Sequence, residues 1–127
     1  MRMTLWASVG AGALALLVCF FSLVFISSTI GEIERMRVET LEYAADGRIP
    51  EARERLVQLA VHWARRSALL EMISSHDDMH EVASAIRDAQ VCLEMMDMDD
   101  LLRVLEQLGM ALEHIGSVQQ VRWRNLY

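Results

Sequence analysis

The 127-residue chain has one proline, two cysteines and six glycines, and it has no charge at all between Met3 and Gly31. Each scarcity excludes something. Cys19 lies inside the uncharged run and Cys92 far beyond it, so the two cannot meet and no internal disulfide is expected. The four glycines from Gly31 onward are scattered, which leaves no glycine-rich loop to cradle a phosphate. Strand-like alternation is absent until the last residues, where Val121, Trp123, Asn125 and Tyr127 fall on one side of a short segment. The motif His-Glu-x-x-His is also missing, and no nucleophile-base pairing can be read from Ser74, Ser75 and His76 merely because they are adjacent.

What is present begins with the uncharged run of 29 residues. About 20 apolar residues suffice to cross a bilayer core. Thirteen residues between Thr4 and Ile30 are Leu, Ile, Val or Phe. At roughly −0.3 to −0.6 kcal/mol each, they contribute about −4 to −8 kcal/mol to insertion. The run is longer than the core of a secretory signal peptide, and Ser27-Ser28-Thr29 is a poor cleavage site, so an uncleaved anchor is expected. Arg2 precedes the run and Arg35 and Arg37 follow it, interleaved with Glu32 and Glu34, which nearly balances the charge rule for orientation. The short segment before the run favours the bulk of the chain facing outward. Within the run, Ser8-x-x-x-Gly12 and Ala11-x-x-x-Ala15 would allow close helix approach in lipid, although Ala and Gly are common in any membrane helix.

All 18 acidic residues lie beyond the run against eleven basic ones, a net charge of −7 from Glu32 to Tyr127. Phosphates and anionic headgroups repel such a segment, so nucleic-acid binding and broad adhesion to a membrane surface are not expected. The segment is large enough to bury one core without metal or disulfide staples.

Helical spacing dominates this part. The first helix continues out of the anchor through Ile33, Met36 or Arg37, Thr40 or Leu41 and Ala44, and stops at Asp46-Gly47. Pro50 fits the start of a second helix, with a stripe of Ala52, Leu56, Leu59, Trp63, Leu70 and Ile73 that runs to Ser75. Ser74 to Asp78 breaks the pattern and offers caps. A third helix turns Met79, Val82, Ala83, Ile86, Ala89, Leu93 and Met96 inward. After Asp97 to Asp100, a fourth carries Leu101, Val104, Leu105, Leu108, Leu112 and Ile115, with Gly116 predicted to close it. Arg53–Ala60 (RERLVQLA) and Leu102–Gly109 (LRVLEQLG) share Leu-x-Gln-Leu before a small residue; the echo reads as equivalent packing geometry rather than duplication.

The only cluster resembling a site is His76-Asp77-Asp78-Met79-His80. Two histidines at i and i+4 share a helical face and could join a carboxylate on a transition metal. Capping and dipole effects account for Asp77 and Asp78 without a metal. His62 and His114 stand beside apolar stripes as boundary residues, Cys92 reads as a buried inert thiol, and Met95, Met96 and Met98 read as core filling, or as an adaptable surface if exposed. No catalytic, cofactor-binding or metal residue is assigned, and no enzymatic activity is expected.

The hydrophobic anchor, the stretch from Asp46-Gly47 to Trp63 containing EARERLVQLAVHW, the break SSHDDMH, and the Leu-rich last helix ending in WRNLY together resemble a known pattern. The whole chain resembles the small membrane-anchored proteins of domain-of-unknown-function family 4363, found mostly in endospore-forming and related Gram-positive bacteria. That resemblance implies an N-terminal anchor followed by a helical domain and a short Asn-containing apolar tail, here Asn125-Leu126-Tyr127. It implies no activity. The Met-rich stretch Met95 to Met98 departs from it, since a charged turn is expected there.

The expected protein is therefore all-α, with a signal-anchor transmembrane helix in residues 1–31, a compact antiparallel bundle of three to four helices in 32–116, and an apolar, basic tail in 117–127. Residues 4–30 meet the membrane. The bundle faces outside the cytoplasm as a non-enzymatic accessory or assembly subunit of an envelope complex, with a membrane or envelope protein as partner and weak self-association possible. Alternatives are a ligand-binding sensor-like bundle or metal binding through His76 and His80; a sensor would need an output, and only two residues precede the run. The tail, with Val121, Arg122, Trp123, Arg124, Leu126 and Tyr127, has three surfaces to dock on: the bundle, a partner or the bilayer interface.

Overall fold

The structure, a computed structural model, describes residues 2–125, with side-chain surroundings through Ser117. Its order is α1 (Arg2–Ala45), α2 (Ile49–Glu71), α3 (His76–Glu94) and α4 (Met98–Asn125), and no strand occurs among the described residues. α1 passes through Gly31 without interruption. It ends where Gly47, at φ +75°, takes the left-handed conformation. Gly47 N–H donates to the Ala44 carbonyl at 3.1 Å and Arg48 N–H to Tyr43 at 2.9 Å, the paired bonds of a Schellman stop.

The other turns follow equally local chemistry. Pro50 lies in the first turn of α2, where its missing N–H costs nothing. Ser75 is extended, and its hydroxyl accepts from Asp78 N–H at 3.3 Å to cap α3. Asp97 caps α4 by accepting from Asp100 N–H at 3.2 Å.

Three helix details differ from the sequence reading. α2 ends at Glu71 rather than Ser75, because Ile73 N–H and Ser74 N–H both turn back onto the Leu70 carbonyl, at 3.0 and 2.7 Å. Met96 is not a core residue: it holds φ +57° just after α3, with Met96 N–H on Leu93 and Asp97 N–H on Cys92, a second Schellman stop made without glycine. Gly116 does not close α4, which runs on to Asn125. A Cβ at Gly116 would stand 3.8 Å from Ile30 Cδ1, so this position lies against α1 instead of ending a helix.

Each helix packs on two others in a ring, α1 on α2, α2 on α3, α3 on α4 and α4 back on α1. Short turns make neighbours antiparallel, an up-down-up-down four-helix bundle. Its core holds Leu56, Leu59, Trp63 and Leu70 of α2, Met79, Val82, Ile86 and Leu93 of α3, and Leu101, Leu105, Leu108, Leu112 and Ile115 of α4. Ala85 and Cys92 are buried as well, whereas Ala83 is only half-buried. α1 contributes Ile26, Thr29, Ile33 and Thr40, so packing begins inside the uncharged run. Leu56 and Leu59 of α2 and Leu105 and Leu108 of α4, the repeated residues of the sequence echo, all face this core from the two helices that flank α1.

Candidate functional site

Two surfaces and their junction stand out. The first is the N-terminal half of α1. Leu5, Trp6, Val9, Leu14, Leu16, Leu17, Val18, Phe20 and Phe21 are all exposed, and almost none of the helix's most apolar stretch is covered by the bundle. By length and composition α1 is the one helix among the described residues able to cross a membrane. A core helix of a water-soluble bundle would hide such residues.

The junction lies where this half enters the bundle. Arg55 Nε pairs with Glu39 Oε2 at 2.7 Å and His62 Nε2 lies 2.5 Å from Glu32 Oε2. The His62 contact is close but not aligned as a hydrogen bond. One turn further, the Arg66 guanidinium lies over the Phe25 ring, 5.3 Å from its centroid. On the other flank, Arg37 grips Glu34 with both ends of its guanidinium fork and donates from Nη1 to the Leu105 carbonyl of α4 at 3.3 Å. The Arg37–Glu34 hydrogen bonds hold the Glu34 carboxyl below the usual carboxylate range, against the opposing effect of burial, and raise the Arg37 pKa. Gly109 makes room for it, because a Cβ there would meet Arg37 Cζ at 3.0 Å. An open groove of about 910 Å³ lies between α1 and α4 nearby, lined by Phe20, Val24, Ile30, Leu112 and Gly116 among others.

The second surface is the far end of the bundle. Around the α3–α4 turn, Val91, Met95, Met96 and Leu102 are exposed, with Met95 74% accessible. Glu94, Asp97 and Asp99 surround them. The methionines thus present an adaptable apolar surface with an acidic rim.

The histidine cluster is dispersed. His76 and His80 are exposed on α3, with His80 beside an acidic groove that includes Asp77, Glu81 and Asp88. Asp78 turns instead to His114 of α4, 3.5 Å away. Among the described residues no group of three or more His, Cys, Asp or Glu stands close enough to hold a metal ion. Ser74 Oγ is buried without a hydrogen-bond partner among the described residues, as is Thr29 Oγ1. Cys92 is buried, and burial, with Asp100, Asp97 and Asp88 nearby, pushes its thiol pKa up. The docking of the tail from Val118 onward concerns side chains outside the described residues; only the helical backbone to Asn125 is given there. The Arg66–Phe25 contact had no distinct signal in the sequence, where Phe25 is one more apolar residue of the run.

Fold and surfaces define an all-helical bundle whose first helix extends into a segment able to cross a membrane. The chain belongs to the family described as Domain of unknown function (DUF4363), whose sequence model matches residues 20–126. The match starts a few residues before the first buried position of α1, Ile26. No curated protein and no solved structure matches the chain.

Proposed function

We propose that this is a single-pass membrane protein of the cell envelope whose helical bundle stands outside the cytoplasm and serves as a non-enzymatic accessory or assembly subunit. The observation that carries the reading is the division of α1: its apolar N-terminal half is exposed while its C-terminal half is a working member of the bundle core. Such a helix couples an anchor rigidly to a small domain. The exposed Met95–Met96 end, held away from the anchor by the length of the bundle, offers a contact surface for another envelope protein. Arg2 on the near side supports the outward orientation, and the two arginines just beyond the run are engaged by carboxylates, Arg37 by Glu34 and Arg35 by Glu39.

A photo-crosslinking residue at Met95 of the full chain, activated in native membranes, tests this. A discrete adduct with a second membrane protein is expected from Met95 and not from Glu54, which lies exposed on the side of α2. The same diffuse products from both positions would overturn the assembly reading.

A further inference from the structure

We infer that the lower end of α2 is a lipid-binding foot, on which Arg65 and Arg66 hold bilayer phosphates while Leu69 and Met72 enter the interface. This rests on the reading of α1 as a membrane span. The contacts along α1 set the depth. α2 descends antiparallel from Arg55 at Glu39, past His62 at Glu32, to Arg66 over Phe25. Met72 is six residues beyond Arg66, about 9 Å farther down at helical rise. Counted from Met3, a bilayer core about 30 Å thick takes roughly 20 helical residues, so its far edge falls just below Phe25. Arg65 and Arg66 then stand at the level of the phosphates, and the α2–α3 turn reaches the acyl boundary.

The residues at that level suit the place. Leu69 is 54% exposed and Met72 83%, large apolar groups left in the open at the end of a helix where the interior already holds Leu70. Arg65 is exposed, and Arg66 is half-buried against an aromatic ring of the span. An arginine fork binds phosphate oxygens in pairs, and an apolar patch beside cations is the pattern of an interfacial helix.

The net charge of −7 does not oppose this, because the charge is segregated along the bundle. The far turns carry Glu42, Asp46, Glu51, Glu94, Asp97, Asp99 and Asp100 against Arg48 and Arg103. The foot of α2 has Arg65 and Arg66 against Glu71. The carboxylates at the start of α3 are turned to α4: Asp78 meets His114, and Asp77 lines a groove with His80, Gln107 and Met110.

Depth measurement by site-directed spin labelling tests the proposal on the full chain in vesicles of phosphatidylcholine and phosphatidylglycerol. Labels go at Met72→Cys, at Val18→Cys in mid-span and at Met95→Cys on the far turn, with Cys19→Ala removing the competing thiol. The Met72 label is expected to collide with oxygen more than with a water-soluble nickel chelate, and the Met95 label the reverse. Arg65→Gln, at an exposed site, is expected to reduce the inserted population of the Met72 label about fivefold, with helicity unchanged. A Met72 label as water-accessible as Met95, with Val18 shielded, would overturn the foot alone. A water-accessible Val18 label would overturn the span reading beneath it. Insertion of Met72 that is indifferent to Arg65→Gln would overturn the phosphate-binding role of that arginine.

Discussion

The two halves of α1 share one unbroken backbone, yet they occupy opposite environments. From Met3 to Phe21 the large apolar side chains are exposed; from Ile26 to Thr40 one side of the helix is sealed by α2 and α4. Hydrophobicity alone does not locate this change, because the bilayer and a protein core accept the same residues. Polar partners locate it. Phe25 is covered by Arg66, Glu32 approaches His62, and Arg37, held by Glu34, donates to the Leu105 carbonyl of α4.

Truncating a residue in each half should separate the two environments most sharply. Ile33→Ala removes a fully buried side chain and is expected to cost about 2 to 5 kcal/mol of bundle stability. Leu17→Ala, in the exposed half, should change bundle stability by less than about 0.5 kcal/mol. Urea unfolding of the full chain in detergent micelles, followed by circular dichroism, checks both. Equal losses would mean that the lower half is also packed in a protein interior. Leu108→Ala on α4 should behave like Ile33→Ala, since it is as deeply buried in the same core.

Gly109 gives a smaller, more specific contrast. Alanine in its place gains about 1 kcal/mol of helix propensity, but its Cβ would press on the Arg37 guanidinium. The two effects should nearly cancel in the native chain. In an Arg37→Ala background the same substitution should stabilise by about 1 kcal/mol, so a double-mutant cycle reads the contact directly. Additivity of the two changes would show that Arg37 does not lie on Gly109.

The smallest expected effect is acid dependence. The folded pKa of Glu34 is lowered by Arg37, so the pair's stabilisation is complete at neutral pH and fades as pH falls below the ordinary carboxylate value of about 4.5. Because Glu34 is partly exposed, the contribution should stay under about 0.5 kcal/mol. Glu34→Gln should lower stability slightly at pH 7 and flatten the loss as pH falls below the ordinary carboxylate value. An unchanged acid limb would remove the pair from the account.

Much of the fold could be read from the sequence because its signals are periodic. The stripes of α2 and α4, the stop at Asp46-Gly47, Pro50 at a helix start and a cap for α3 from within Ser74 to Asp78 are local features, and the structure has each of them. Where context decides, the sequence was ambiguous. Gly116 carries the usual sign of a helix end, but the close approach of Ile30 gives it another use. Met96 matches the spacing of the α3 core, yet the turn into α4 takes it into the left-handed region. The start of packing at Ile26 is hidden in a uniform apolar run. For the candidate surfaces, the Met-rich turn was visible as composition, whereas its exposure and the meeting of Arg66 with Phe25 depend on tertiary register.

The division of α1 near Phe25 between bilayer and bundle is open to a cysteine scan along its exposed face in the native membrane. Single cysteines at Leu14, Leu17, Phe21, Gly31, Arg35 and Val38, all exposed positions, are placed in a Cys19→Ala chain in which Cys92 is buried. Each is treated with a membrane-impermeant maleimide, first on intact cells and then after lysis. The first three are expected to stay unlabelled in both conditions and the last three to label on intact cells. Labelling of Leu14→Cys and Leu17→Cys as readily as Val38→Cys would contradict that division.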